Sequence, residues 1–432
     1  ASAISVIRGM DNECYGAGPT SKDDSHYKAY IEAVQQGYLP ESAIDTALIH
    51  LFTARIKLGM FDPPELDPYS KIDDKQLDSP EHRALALKLA NESIVLLKND
   101  GILPIKPGIK RIAVVGPLAE QTRVLLGNYN GRPTHSVSVL DGLKAEFPNA
   151  KITYVPGTQF LGSEGKPVPD SMLTTADGKP GLTAAYYETE RLRPNGPKPT
   201  ALTTRIEPNV NLDASKMPTE AAGKKPLTVR WTGFITAPET GDYLIGVRGQ
   251  GFERVMVDDK LVAMLFGWEG VEARLGRVHL EKGEKASIEV TYGNPDEGQP
   301  HVQLIWTKAN DAPSPEAVAA ARNADLVIAV VGITSDLEGE ERPVNEPGFL
   351  GGDRTSIELP APEESLVEAV QATGKPTVVV LMNGSALAVN WINQHANAVL
   401  DAWYSGEEGG AAIAETLSGK NNPAGRLPVT FY

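Results

Sequence analysis

Leu326-Val327-Ile328-Ala329-Val330-Val331-Gly332-Ile333-Thr334-Ser335-Asp336-Leu337-Glu338-Gly339-Glu340-Glu341-Arg342 decides how this chain reads. Its opening residues, Leu326–Val331, are apolar without alternation, the pattern of a strand buried on both faces. The chain then turns acidic, with Asp336, Glu338, Glu340 and Glu341 inside six positions. Comparable apolar runs recur at Ile112–Gly116, Thr377–Met382 and Val399–Trp403, and Pro362–Ala372 has the pattern of an intervening helix. This rhythm predicts a mostly parallel sheet covered by helices. In such sheets the loop beyond a strand's carboxyl end is where functional groups usually sit. From the residues alone, however, the acidic loop reads more simply as solvated surface.

Working outward, the rhythm breaks between about 157 and 308. Tyr243–Arg248 and Val255–Asp258 alternate, and their turns carry Gly-Asp, Asp-Asp-Lys and Lys-Gly-Glu, so an all-β module inserted into the α/β domain is predicted. The Gly/Pro/Lys-rich stretch 162–180 reads as a mobile entry linker. Upstream, Ser79 suits an N-cap and Pro80 a first helical turn, predicting a helix that runs to about Leu97. In residues 1–72 the helix from Pro40 to Gly59 spaces Ile44, Ala47, Leu48, Leu51 and Leu58 along one face, with no local strand to cover. The expected partner surface lies outside the chain. Ala1–Arg8 reads as a helix that begins without a cap or an initiating Met, the expectation for a processed or cut product.

Composition narrows the function classes. At 432 residues and 41% apolar content, two or three domains are expected. The net charge of −15 speaks against nucleic-acid or anionic-membrane partners, and no run reaches the roughly 18 apolar residues of a membrane span. The single cysteine, Cys14, rules out an internal disulfide framework and reads as a small buried hydrophobe. No dinucleotide, P-loop, CxxC, HExxH or GxSxG motif is present, and the seven histidines are scattered, so neither a cofactor nor a metal is predicted.

Several blocks in order resemble the second domain of family 3 glycoside hydrolases: Leu337–Glu341, Gly352-Asp353-Arg354-Thr355, Leu359-Pro360, Val379–Gly384, Ala402–Gly410 and Asn422–Pro428. Arg8–Cys14 is similar to the segment that follows the nucleophile strand of that family's barrel, and Ala54–Pro63 and Ser93–Asn99 to its link into the second domain. The stretches Gly181–Tyr187, Arg230–Gly233, Glu239–Tyr243 and Val257–Asp259 resemble a PA14 domain. The resemblance implies the C-terminal helices of a TIM-like barrel with its linker in 1–72, an α/β sandwich in 73–156 and 309–432, and a PA14-like β-sandwich in 157–308.

It further implies an exo-acting β-glycosidase, a β-glucosidase acting on short β-linked oligosaccharides or aryl glycosides, with a β-xylosidase as the alternative. The rival from another class is a non-catalytic carbohydrate-binding scaffold. The family's retaining mechanism uses a barrel Asp and a Glu of the second domain. The resemblance places that acid/base at Glu340, with Glu338 the nearest competitor and Glu341 third; the insertion 343–350 before Asp353-Arg354 blurs the register. Asp353 and Arg354 read as a supporting ion pair that closes the loop. Asp11 and Glu13 are candidates to approach the sugar or to cap a helix, and Trp268 is the better candidate for stacking on it, since Trp231 and Trp306 have strand context. The module is expected either as a lid over the site or as a spacer. The attacking Asp is expected upstream of Ala1, on the N-terminal barrel portion, and a periplasmic or secreted location is expected.

Overall fold

The computed structural model describes residues 2–12, 25–131, 133–160, 165–189, 192, 199–266, 271–294, 299–339, 344 and 346–431. Two compact units divide at Ser79/Pro80. The first holds α1 (Ser2–Ile7), α2 (Ser25–Gln35) and α3 (Glu41–Lys57). Among its described side chains only Leu39 and Ala47 are buried, whereas Ile49, Ile56, Leu58, Met60 and Leu66 are each more than 60% exposed. So much bare apolar surface is unusual for a self-sufficient helical unit.

In the second unit the chain forms α4 (Pro80–Ser93), β1 (Val95–Asn99), β2 (Arg111–Val115), α5 (Val139–Glu146) and β3 (Lys151–Val155). The single helix predicted from Pro80 to Leu97 therefore divides at Ser93. Its apolar tail, Ile94–Leu97, is too short for sequence periodicity to separate helix from strand, and it pairs antiparallel to a later strand. After Gly157 come β4 (Lys166–Pro167), β5 (Leu173–Thr174), β6 (Leu182–Tyr187), β7 (Thr203–Glu207), β8 (Asn211–Asp213), β9 (Thr228–Thr236), β10 (Gly241–Gln250), β11 (Phe252–Val257), β12 (Lys260–Phe266), β13 (Glu272–Leu280), β14 (Lys285–Gly293) and β15 (His301–Lys308). They make two antiparallel sheets, ordered β13-β10-β15-β4 with β8 also on β15, and β12-β11-β14-β9-β6-β7 with β5 also on β9. Of the expected entry linker 162–180, residues 162–164 lie outside the described residues, and from Lys166 onward it carries two short paired strands, β4 and β5.

One core joins the two sheets, with Ile245, Val247, Val302 and Leu304 from the first facing Val229, Trp231, Val290 and Tyr292 from the second. Trp306 stacks on Tyr243 with ring centroids 5.1 Å apart. Within this core Glu207 accepts from the Tyr186 hydroxyl, the Trp231 indole N–H and Arg205 Nε, each at 2.6 Å. Glu253 is the opposite case. It is fully buried, neither carboxyl oxygen has a hydrogen-bond partner among the described residues, and burial, followed by the nearby Glu272 charge, pushes its pKa up to about 8.

The chain returns at Ser314, whose N–H donates to the Gly157 carbonyl at 2.8 Å, so the module's two ends meet. Ser314 also caps α6 (Pro315–Arg322) by accepting from the Ala317 N–H. There follow β16 (Leu326–Gly332), β17 (Phe349–Leu350), β18 (Asp353–Arg354), α7 (Ala361–Gln371), β19 (Thr377–Met382), α8 (Asn390–His395), β20 (Ala398–Asp401) and α9 (Gly409–Ser418). The central sheet runs β1-β20-β19-β16-β2-β3, parallel except for β1. Alternate residues serve opposite cores. Ile328, Val330 and Val380 meet Leu143 of α5 and Ile413 of α9, while Val327, Ala329 and Val379 meet Leu366 of α7 and Ile392 of α8. Among the described residues no helix is long and apolar enough to cross a membrane.

Two outcomes follow for stability. A Cβ at Gly410 would lie 2.1 Å from the Ser138 carbonyl oxygen, so Gly410→Ala forces α9 off α5 and costs about 1–3 kcal/mol in denaturant unfolding. Gly131→Ala, where nothing lies within 4 Å, is the near-neutral control. Equal stabilities would contradict the close helix contact. For Glu253, a folded-state pKa near 8 lies above the ordinary 4.5, so the folded protein binds the extra proton between those values and stability falls as pH rises through that window. Glu253→Gln removes this contribution, and melting curves from pH 5 to 8 should show the variant gaining steadily on the parent; a pH-independent difference would contradict the assignment.

Candidate active site

Polar groups gather where the parallel strands end. β16, β19, β20 and β2 are adjacent, and the loops leaving their carboxyl ends meet around Glu338. Glu338 Oε2 accepts from the Tyr404 hydroxyl at 2.7 Å, and Oε1 accepts from the Ser385 hydroxyl. Its backbone carbonyl accepts from Asn128 Nδ2 at 3.2 Å, and its N–H donates to Thr334 O at 3.1 Å. Ser385 follows β19, Tyr404 follows β20 and Asn128 follows β2. Gly384 makes room, since a Cβ there would stand 2.6 Å from the Tyr404 ring and 3.0 Å from Glu338 Oε2.

Electrostatics reinforce this arrangement. Burial, then the Glu338 charge, holds the Tyr404 phenol well above its usual range, so the hydroxyl stays protonated and donates. Arg354 Nη1 donates to Ser385 Oγ at 2.9 Å, and its Nε to Ser356 O at 2.9 Å. Burial lowers the guanidinium pKa while Glu338 and Tyr404 pull it back up. Behind the cluster, fully buried Asp401 at the end of β20 lies beside Asn383 and accepts from the Trp403 N–H at 3.4 Å; burial pushes its pKa up to about 7. Asn383 Nδ2 donates to Ser385 O at 3.2 Å. The Asp401–Asn383 pair thereby braces both loops that present hydroxyls to Glu338.

Two residues before Glu338, Asp336 is held by a fork from Arg123, with Nε at 2.9 Å and Nη2 at 3.1 Å. Farther on, Gly352 (φ +91°) packs on the Gly339 backbone so closely that a Cβ would lie 1.7 Å from the Gly339 carbonyl oxygen. The loop is pinched where Gly352 meets Gly339.

Of the residues singled out from sequence, Glu340, Glu341, Glu13, Trp268 and Cys14 lie outside the described residues. Glu338 and Arg354 come together. Asp353 is exposed, and Arg354 bonds to Ser356, Ser385, Ala386 and Glu358 instead of closing an ion pair with it. The cause is the β17–β18 turn, which carries Arg354 inward against the Phe349 ring, 5.7 Å from its centroid. Asp11, in the first unit, gives its carboxylate to His50 Nδ1 of α3 at 3.0 and 3.1 Å. Among the described residues no group of three or more His, Cys, Asp or Glu is arranged to hold a metal. Sequence reasoning missed Tyr404, Ser385 and the Asp401–Asn383 brace; their signal was the appearance of polar residues directly after fully buried strands.

Comparisons with known proteins agree with this architecture. The family model described as the glycosyl hydrolase family 3 C-terminal domain matches residues 94–432. A xylan 1,4-beta-xylosidase of Xylanibacter ruminicola is 34% identical across 99% of this chain and 48% of its own length, and a beta-glucosidase of Rhizobium radiobacter is 28% identical across 93% and 47%. Among solved structures, DesR, a beta-glucosidase from Streptomyces venezuelae, superposes with a TM-score of 0.68 at 24% identity, covering 99% of this chain and 49% of that one. The chain spans about half the length of the curated relatives it matches. With its α/β unit matched from Ile94 onward, the chain belongs to glycosyl hydrolase family 3.

Proposed function

We propose that this chain is the acid/base-bearing part of an exo-acting, retaining β-glycosidase that releases non-reducing-end sugars from short β-linked oligosaccharides or aryl glycosides. One observation carries the reading. The first glutamate of the acidic loop, Glu338, is already committed as an acceptor to Tyr404 and Ser385. A general acid must instead hold a proton and give it to the leaving oxygen. Glu340, two residues on and just beyond the Gly339 pinch, takes that role, while Glu338, Arg354, Tyr404 and Ser385 are the frame that aims its loop. The acidic neighbourhood suits a group whose proton must stay on near neutral pH.

The attacking Asp belongs to a portion of the full-length protein that corresponds to the other half of its relatives. The bare apolar helices of the first unit support this, since they are what the outer helices of a TIM-like barrel would offer to missing strands. The β-rich insertion is a PA14-like module, either covering the site mouth with Trp268 against the sugar or acting as a spacer. Substrates are β-glucosides in the first reading, in keeping with relatives named beta-glucosidase from Rhizobium radiobacter and Emericella nidulans. The second reading, β-xylosides, is favoured by the 34% identity to the protein named xylan 1,4-beta-xylosidase. A relative from Salmonella typhimurium is named periplasmic, which supports a periplasmic or secreted setting.

In the full-length protein, Glu340→Ala should lose about 10²–10⁴-fold on glycosides with poor leaving groups and retain glycosylation by dinitrophenyl glycosides. Added azide, which needs no base, should speed turnover and yield a β-glycosyl azide. Azide rescue of Glu338→Ala alone would move the acid to Glu338, and rescue of neither would remove the acidic loop from the chemistry. Absence of any hydrolysis by the full-length parent on aryl glucosides and xylosides would favour the non-catalytic scaffold. Tyr404→Phe should lower activity less than Glu340→Ala and respond to azide not at all, because it frees Glu338 without removing the proton donor.

A further inference from the structure

β13 lies at the edge of the module's first sheet, paired with β10. It sends two arginines toward the loop that follows β16. Arg274 Nη1 stands 3.5 Å from Asp336 Oδ2, the same oxygen that Arg123 Nε holds from the α/β side at 2.9 Å. Arg277 Nε stands 4.0 Å from Glu346 Oε2, with the two side chains 18% and 15% exposed. The rest of the Arg277 guanidinium faces Asp311 at 2.6 Å, in the segment returning from the module, and Asp242 of β10 at 3.4 Å. Burial holds the Glu346 carboxyl pKa above its usual value, and the Arg277 and then the Arg274 charge oppose it. The module thus touches the acidic loop twice, at Asp336 ahead of Gly339 and at Glu346 between Gly339 and Gly352, four residues before Glu340 in sequence and six after it.

We propose that the inserted β-module is a clamp on the acidic loop, with Arg274 and Arg277 as positioning residues that fix Asp336 and Glu346 and so hold the loop against the strand ends where Glu338 is bound. Geometry favours a clamp over a mere spacer. A spacer has no need to aim two cations from one edge strand at two carboxylates of one loop. Glu346 also makes the contact hard to dispense with, since a carboxylate this buried is costly to leave without a cation. Arg123 fixes Asp336 independently, so the module's distinctive share is the far side of the loop, at Glu346. Any consequence for catalysis rests on the proposed function; the clamp itself does not.

The test uses the full-length protein with Arg274→Gln, Arg277→Gln and the double substitution, which keep long side chains and remove the charge. Amide hydrogen exchange is followed over 333–339 and 346–354, with β16 and β19 as internal reporters of the fold. The double variant should exchange about tenfold or more faster in the loop, as expected for loss of charge-assisted contacts, with the strand amides unchanged. Arg277→Lys, which keeps the cation, should restore part of the protection at 346–354. Unchanged loop exchange in the double variant would overturn the clamp whatever the activity. With hydrolysis established for the parent, the double variant should lower kcat more than it changes KM and steepen the dependence on leaving-group acidity. Faster exchange with an unchanged leaving-group dependence would overturn the positioning role. A parent without glycosidase activity would refute the proposed function and leave the exchange result to decide the clamp alone.

Discussion

Burial of Leu326–Gly332 on both faces of the central sheet governs where chemistry can sit. Every residue of this strand is buried, its odd and even positions feed separate cores, and a charged side chain has no place along it. An unpaired charge in such a core costs several kcal/mol. The chain can therefore place carboxylates only after it leaves the sheet. The neighbouring strands β2, β19 and β20 are also largely buried, and polar residues follow each of them at its carboxyl end. Because the strands are parallel, those ends are side by side, and Asn128, Ser385 and Tyr404 reach one carboxylate from three loops. Few polar groups are buried here without a role: Asp401 and Asn383 are fully enclosed, and both lie directly behind the hydroxyls that hold Glu338.

The same constraint accommodates a large insertion. The β-module leaves after β3, at the sheet edge, and its ends are closed by the Ser314–Gly157 hydrogen bond, so the parallel sheet resumes in register. Its core is independent of the α/β cores, built around Trp231, Tyr186 and a fully partnered Glu207. Among the described residues the arginines of β13 link the module to the acidic loop. Such a contact can be strong locally without merging two hydrophobic cores.

Much of this was legible in the sequence. Thr377–Met382 is a strand over the predicted residues, and Leu326–Val331 extends by one, because continuous β-branched and apolar runs flanked by polar loops leave few alternatives. The α4–β1 junction was not legible, since Ile94–Leu97 continues the apolar pattern of the helix before it and strand pairing with β20 decides the outcome. Within 162–180 the short strands β4 and β5 were not legible for the opposite reason. The composition there is that of a linker, but backbone pairing of β4 and β5 needs no apolar run. At the site the acidic loop was visible as a cluster of carboxylates. The hydrogen bonds that hold Glu338 were not, because Tyr404 and Ser385 lie 66 and 47 positions from it along the chain and only the sheet order brings them together. Arg354 was singled out beside Asp353, yet its guanidinium serves Ser385, a choice made by the β17–β18 turn.

The most direct test is a crystal structure of the full-length protein with a non-hydrolysable β-glycoside spanning the scissile bond. The account predicts the Glu340 carboxyl within hydrogen-bond reach of the glycosidic oxygen, about 5–5.5 Å from an aspartate on the opposite face of the sugar, with Glu338 still bound to Tyr404 and Ser385. A structure in which Glu338 leaves those hydroxyls to meet the glycosidic oxygen, or in which no residue of the loop after β16 approaches it, would contradict the account.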